Sequence, residues 1–226
     1  MPCYNEAAHL NTVVQKVLSQ ACVTELIMVD DGSTDGSADL MSRLQAKHPG
    51  RIRALFCPKN KGKGAAIRLG IPSITQPITL IQDADLEYDP SDYEKLIAPI
   101  KTGKTDVVYG TRFGNAQRNH FAYRRQYWAN RVLTWLSNQF TGYTLTDMQT
   151  CYKVMKTEQI QALQLAENRF GIEPELTAKL AKKKARIQEL PIRYHARGYE
   201  SGKKIGVKDG LWAIYCILKY ALPGLD

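Results

Sequence analysis

The stretch that most constrains this chain is Ile78-Thr79-Leu80-Ile81, a short β-branched apolar run that stops abruptly at Gln82-Asp83-Ala84-Asp85-Leu86-Glu87. A run of that length with bulky apolar residues at every position reads as a strand buried on both faces. Side chains alternate along a strand, so extended geometry carried past Gln82 would point Asp83 and Asp85 the same way, beyond the carboxyl end of a sheet. Two hard oxygen ligands there suit Mg²⁺ or Mn²⁺ bridging a diphosphate. Taken alone, an Asp-x-Asp ahead of Pro90 is more often an acidic turn, and the surrounding elements have to decide.

Those elements alternate. A helical pattern (Leu10, Val13, Val14, Val17, Leu18) follows Pro2-Cys3-Tyr4-Asn5-Glu6. A strand at 25–29 ends in Asp30-Asp31-Gly32-Ser33-Thr34, where Ser33 or Thr34 can cap a helix through Leu40, Met41 and Leu44. The acids Asp30 and Asp31 read equally well as turn chemistry and as ligands at a strand exit. A third strand at 51–56 leads to Asn60-Lys61-Gly62-Lys63-Gly64, which lacks both the P-loop pattern and the third glycine of the dinucleotide motif. This loop can still bring lysines and backbone N–H groups to an anion, although a solvated basic turn is the commoner outcome. A fifth strand at 106–109 exits into Gly110-Thr111-Arg112, with Arg112 placed to meet a phosphate or pair with an acid. Three strand exits thus carry Asp30/Asp31, Asp83/Asp85 and Arg112. The expected fold is α/β, a mostly parallel Rossmann-like sheet flanked by helices, with its ligand side marked by charge.

Farther along, residues 118–140 mix Arg124, Arg125 and Arg131 with Tyr127, Trp128, Trp135 and other large apolar residues. That texture fits a helix packed on the sheet with snorkelling arginines, or a membrane-facing or anion-binding one. Asp147 lies in a loop entering a short strand around Val154 and is a candidate ligand or orienting carboxylate. Helices are expected at 158–165 and 170–184, a strand at 186–190, and a final apolar stripe (Leu211, Ile214, Tyr215, Leu218, Leu222) flanked by Lys203, Lys204, Lys208 and Lys219. We divide the chain into one domain, 1–204, and a C-terminal amphipathic helix, 205–226, a candidate membrane-interface element.

Composition removes several classes. The longest apolar run, 211–218, is far below the roughly 20 residues that span a bilayer, and no basic-then-apolar leader opens the chain, so it is expected to be neither secreted nor integral. Five cysteines and four histidines show none of the usual zinc spacings, and the thiols are expected to be reduced in the cytosol. A net charge of +9 favours an anionic partner: nucleotide phosphate, anionic lipid or nucleic acid. Nucleic acid is disfavoured because acidic pairs occupy the sheet edge that would receive its phosphates.

The segments Pro2-Cys3-Tyr4-Asn5-Glu6, Val29-Asp30-Asp31-Gly32-Ser33, Asn60-Lys61-Gly62-Lys63-Gly64, Asp83-Ala84-Asp85, Gly110-Thr111-Arg112 and Glu189-Leu190-Pro191-Ile192 together resemble the family-2 glycosyltransferases of the GT-A fold. Within that family the chain is most similar to the dolichyl/polyprenyl-phosphate mannose synthases and polyprenyl-phosphate glucosyltransferases. The resemblance covers nearly the whole chain in order. It implies an inverting, metal-dependent transfer of a hexose, mannose or glucose, from a nucleotide sugar (GDP-mannose or UDP-glucose class) to a polyprenyl phosphate. The implied cofactor is Mg²⁺ or Mn²⁺, and the implied location is peripheral, on the cytoplasmic face of a membrane. It matches Pro2, Tyr4, Glu6, Val29 and Asp31 to nucleoside-binding positions, and Asp83 and Ala84 to donor contacts. Asp85, with Asp83 beside it, matches the metal site, while Arg112, Arg197 and Lys203 match basic residues that close over the diphosphate. A phosphate monoester acceptor is already anionic at pH 7, so Asp147 is assigned to orienting rather than deprotonating.

Three departures accompany the match. The family has a full strand before the position of Pro2, and this sequence starts there, so a first strand cut short and a vacancy beside the nucleoside pocket are expected. Tyr127-Trp128-Ala129-Asn130 stands where the mannose synthases carry an arginine before Gly-Ala-Asn, which leaves Arg124 to serve the acceptor phosphate from one helical turn away. Lys153 replaces an arginine at the second acceptor position. A family-2 transferase with a non-lipid glycan acceptor, and a non-catalytic GT-A binding module, are the alternatives.

Overall fold

The computed structural model describes residues 1–113, 124–196 and 207–221, the side chains of 124–126 and 207 excepted. Strand and helix alternate through the first half: β1 (Pro2–Cys3), α1 (Ala7–Leu18), β2 (Leu26–Asp30), α2 (Ser37–Lys47), β3 (Ile52–Phe56), α3 (Lys63–Gly70), β4 (Ile78–Leu80), α4 (Tyr93–Lys101) and β5 (Val107–Thr111). The second half adds α5 (Arg124–Thr141), β6 (Lys153–Lys156), α6 (Thr157–Gln161), α7 (Ile172–Lys182), β7 (Ile187–Pro191) and α8 (Val207–Ala221). Helix α1 shows why the apolar spacing works: Leu10, Val13, Val14, Val17 and Leu18 fall on one face and are all buried.

The strands form two hydrogen-bonded groups. β1, β2 and β3 pair in parallel, while the second group has the order β4-β6-β5-β7, with β6 antiparallel to both neighbours and β5 parallel to β7. The ladder breaks between β2 and β4. There β1 contributes two residues, with Pro2 opposite Val29 and Cys3 opposite Asp30. Beyond them lies an apolar cavity of about 160 Å³, lined by Ile27, Ala66, Ile71, Ile78, Leu80 and Ile97 among others. The α/β architecture, the mostly parallel sheet and the short first strand agree with the sequence.

Two local expectations are corrected. β4 stops at Leu80, so Asp83 and Asp85 leave the sheet on a loop and share no strand face. Neither Ser33 nor Thr34 caps α2: its N-cap is Gly36 in the left-handed region (φ +87°), Asp35 Oδ1 accepts the N–H of Ser37, and the hydroxyl of Ser33 accepts the N–H of Asn5. Ser33 stands four residues ahead of Ser37, the first helical residue, too far for the usual cap bond to the first turn.

Helix α8 packs on α7 and α5, burying Ala213, Cys216, Ile217 and Tyr220. Its other face exposes Leu211, Trp212, Tyr215 and Leu218, and α5 exposes Trp128, Val132, Trp135 and Phe140. No helix among the described residues is long and apolar enough to cross a membrane. All five cysteines are free thiols.

Candidate active site

The site begins where β1 and β2 end, in two loops that hold each other. Asn5, at a left-handed φ of +51°, donates its N–H to Ser33 Oγ, while its Oδ1 accepts the N–H of Thr34. The N–H groups of Glu6 and Ala7 donate to Ser37 Oγ and Asp35 Oδ2. Four cross-loop bonds thus replace the regular ladder at the sheet edge.

Asp30 closes its own turn, accepting the N–H groups of Gly32 and Ser33 on Oδ2. Asp31 reaches the third strand exit: it accepts Asn60 Nδ2 at 2.8 Å and the N–H groups of Lys61 and Gly62 at 2.9 and 2.7 Å. Gly32 is required at this crossing, because with φ +72° a Cβ there would lie 2.6 Å from the backbone carbon of Lys59. The 60–62 loop is therefore organised by an acid.

That organisation aims Lys63, the first residue of α3, at Asp83. Its Nζ lies 3.0 Å from Asp83 Oδ1 and 3.3 Å from Oδ2. The same ammonium is 2.9 Å from Glu173 Oε1 at the start of α7, and the other oxygen of Glu173 accepts from Lys153 on β6. Burial works against the Asp83 carboxylate, but Lys63 outweighs it and holds the pKa below the usual range. Burial also works against the Lys63 ammonium, and Asp83 with Glu173 outweighs it, leaving that pKa well raised. Asp85, two residues on, is nearly buried, and its Oδ1 accepts the N–H of Glu87 at 3.1 Å.

Glu87 links this loop to the last one. Its Oε2 accepts the hydroxyl of Tyr194 at 2.9 Å, and its backbone O accepts the N–H of His195. The Tyr194 ring lies 5.3 Å under the guanidinium of Arg112. Arg112 is buried and forks onto Asp147, with Nε to Oδ2 and Nη2 to Oδ1 both 2.7 Å. Burial disfavours the guanidinium, and Asp147 more than restores it, raising its pKa well above the ordinary value. Glu189 on β7 sets the Asp147 loop by accepting the N–H groups of Thr146 and Asp147 at 2.7 and 2.9 Å.

The structure therefore brings Asp31, Asp83, Asp85, Arg112 and Asp147 to one end of the sheet, with Pro2 on β1 and Tyr4 and Glu6 on the adjoining loop. Arg112 forks onto Asp147, the acid-pairing alternative at that strand exit. The structure corrects three readings. Lys153 is fully buried on Glu173 and the Thr150 carbonyl, in the core and not on an acceptor surface. Val29 and Ala84 are 2% and 4% exposed, and the Val29 side chain faces Gly70 of α3, so both side chains serve packing. Arg197, Lys203 and the side chain of Arg124 lie outside the described residues. Sequence reasoning missed Glu173 and Tyr194 as partners of the site and gave Lys63 and Glu189 only as members of longer segments. Glu173 shares the first turn of α7 with Glu175, where acids are ordinary helix-start residues and mark no partner.

The family model described as Glycosyl transferase family 2 matches residues 1–163, more than half of the chain. The chain belongs to that family. Similar curated members include the undecaprenyl-phosphate 4-deoxy-4-formamido-L-arabinose transferase of Edwardsiella ictaluri, 29% identical over 90% of this chain and 61% of the relative. Another is glycosyltransferase AglJ of Haloferax volcanii, 26% identical over 92% of this chain and 66% of the relative. The chain thus spans a little under two thirds of the length of these members. Among solved structures, glucosyl-3-phosphoglycerate synthase from Mycobacterium tuberculosis, in complex with Mn²⁺, UDP-glucose and phosphoglyceric acid, superposes with a TM-score of 0.70. It is 22% identical, with 97% of this chain and 77% of that one covered. The mannosyltransferase PcManGT from Pyrobaculum calidifontis, in complex with GDP-Man and Mn²⁺, gives 0.60 at 19% identity over 84% of this chain and 53% of that one. These likenesses establish the GT-A fold.

The residues present fit a hard divalent ion. Among the described residues no three His, Cys, Asp or Glu side chains cluster to enclose a metal. The acidic loop offers two carboxylates and no soft ligand. Mg²⁺ and Mn²⁺ sites of that kind take one or two carboxylates and fill the remaining positions with water or substrate phosphate.

Proposed function

We propose that this family-2 transferase moves a hexose, mannose or glucose, from a nucleotide sugar to a polyprenyl phosphate, with inversion, at the cytoplasmic face of a membrane. The observation that carries the reading is the convergence of the acidic 83–85 loop, the Asp31-anchored 60–62 loop and the Arg112–Asp147 pair on one sheet end. Mg²⁺ or Mn²⁺ bound at Asp85, with Asp83 beside it, would supply charge neutralisation for a leaving nucleoside diphosphate. The chain's own residues do the rest. Pro2, Tyr4, Glu6 and the Asp31-held loop shape the nucleoside pocket, and Asp83 faces the donor. Arg112, kept charged by Asp147, adds a fixed positive field behind the diphosphate. Arg197 and Lys203 are assigned to close over it, and Arg124 to meet the acceptor phosphate. The name of the Edwardsiella ictaluri relative, an undecaprenyl-phosphate transferase, supports the lipid acceptor.

The exposed aromatic side chains of α5 and α8, two helices that pack on each other, support peripheral membrane attachment. The test is transfer of label from GDP-mannose and UDP-glucose to undecaprenyl or dolichyl phosphate, with Mn²⁺ and with chelator. A lipid product that disappears with chelator and in Asp85→Ala is expected. Label arriving only on a water-soluble acceptor would replace the lipid reading with the soluble one, and undiminished turnover in Asp85→Ala would remove the metal assignment.

A further inference from the structure

Four buried or nearly buried charges alternate in a line from the core to the site: Lys153, Glu173, Lys63 and Asp83. Their side chains are 0%, 6%, 12% and 26% exposed, so exposure rises toward Asp83, the end that meets the donor pocket. Each comes from a different part of the fold, β6, α7, α3 and the loop after β4. Such a line is poorly explained by stability. Taking charges out of water is costly before pairing, and well-packed apolar side chains commonly do as well. It does fix an orientation, because the three inner members are each held on two sides. Lys153 is held by Glu173 and the Thr150 carbonyl, Glu173 by two ammonium groups, and Lys63 by two carboxylates.

The backbone adds a second constraint. Gly64 has no room for a side chain, since a Cβ would lie 2.2 Å from the carbonyl oxygen of Glu167, and the N–H of Ala65 donates to the carbonyl of Asn168 at 2.9 Å. The first turn of α3 is thus pressed against the 167–169 backbone, and Lys63 is delivered to one place.

An ammonium group 3.0–3.3 Å from both oxygens of Asp83 bears directly on what that carboxylate can bind. A divalent cation brought to the same carboxylate would meet a positive charge already seated there. A hydroxyl or N–H donor would meet an ionised, oriented acceptor. We propose that Lys63, braced by Glu173, is a positioning residue that reserves Asp83 for hydrogen bonds from the donor nucleoside and keeps it out of the metal's coordination, leaving the metal to Asp85. This rests on the nucleotide-sugar reading above and divides the roles of its two acids.

The test measures two affinities on the full chain: Mn²⁺ alone, from the free-ion electron paramagnetic resonance signal, and UDP or GDP at saturating Mn²⁺, by calorimetry. Lys63→Met removes the competing charge and the brace together. Mn²⁺ alone is expected to bind about threefold tighter or more, while nucleotide binding weakens about tenfold, a tenfold change corresponding to about 1.4 kcal/mol. Lys63→Arg should return both to near the starting values. Glu173→Gln, which leaves the Lys63 charge in place, should weaken nucleotide about threefold with Mn²⁺ alone unchanged. A merely structural role would weaken both affinities together, so parallel losses, or no change in either, overturn the proposal. If Lys63→Met fails to fold, as judged by lost near-ultraviolet circular dichroism, the Glu173→Gln pair of measurements decides by the same criterion. Wild-type chain that binds neither nucleotide with Mn²⁺ would overturn the nucleotide-sugar reading itself, and this division of roles with it.

Discussion

Arg112 and Asp147 form a planar fork inside the protein, two N–H···O contacts of 2.7 Å with the backbone N–H of Arg112 adding a third at 3.0 Å. Buried pairs of this kind are far more sensitive to losing one partner than to losing both. Asp147→Ala is expected to cost about 3–5 kcal/mol in urea unfolding, because it strands a buried guanidinium. The apolar double replacement Arg112→Met with Asp147→Leu should recover most of that loss while remaining inactive in the transfer assay. A single variant within about 1 kcal/mol of wild type would show that water reaches the site and supports the charge.

Gly64 offers a steric prediction. With its Cβ position 2.2 Å from the Glu167 carbonyl oxygen, Gly64→Ala must push α3 off the 167–169 backbone. A loss of about 1–3 kcal/mol is expected by analogy with overpacked cores. Gly36→Ala meets no neighbouring atom within 4 Å but sits at φ +87°, so its smaller loss would reflect backbone strain alone. Comparing the two denaturation curves separates contact from conformation.

Acid sensitivity should have one identifiable surface contributor. The Arg186 side chain bonds Asp106 and holds its pKa at about 2, down from 3.8. Because the folded value is the lower one, the pair contributes above the unfolded pKa and is lost as pH falls from about 4 toward about 2. Arg186 is 61% exposed, so solvent screening keeps the contribution small. Asp106→Asn should flatten the pH dependence of urea stability in that window and leave it unchanged at pH 7 apart from a small offset.

Membrane attachment through the paired aromatic faces predicts a specific sensitivity. Trp128 and Trp135 are 61% and 62% exposed and seven residues apart, on one side of α5. Replacing both by serine should reduce co-sedimentation with anionic vesicles about tenfold or more, since each ring loses interfacial burial, while the melting temperature stays within a few degrees. Equal binding by the double variant would move the attachment site elsewhere.

The sequence carried the architecture because apolar spacing is a local signal: the run at 78–81, the α1 face and the apolar stretch that became β5 each reported their own burial. It also carried the acids and Arg112, since charged residues directly after apolar strands stand out against the pattern. What it could not carry was pairing. Asp147 faces Arg112 across 35 residues and Glu173 faces Lys63 across 110, and nothing in the local composition at 147 or 173 marks the partner. Lys153 was misplaced for the same reason: a lysine in a short strand reads as an open cation until its counter-charge arrives from α7. The stop of β4 at Leu80 was invisible too, because Ile81 continues the apolar run and still donates its N–H to the Lys153 carbonyl of β6, so the chain turns away only after it.

The grip on the first turn of α3 has a mechanical consequence. Helix α3 is a crossbar: its body lies on β1 and β2, and its first turn is pressed on the 167–169 backbone that leads into α7. Lys63 stands at that grip with its ammonium on both Glu173 of α7 and Asp83, so a displacement of α7 would reach the donor end through α3 without passing along a strand.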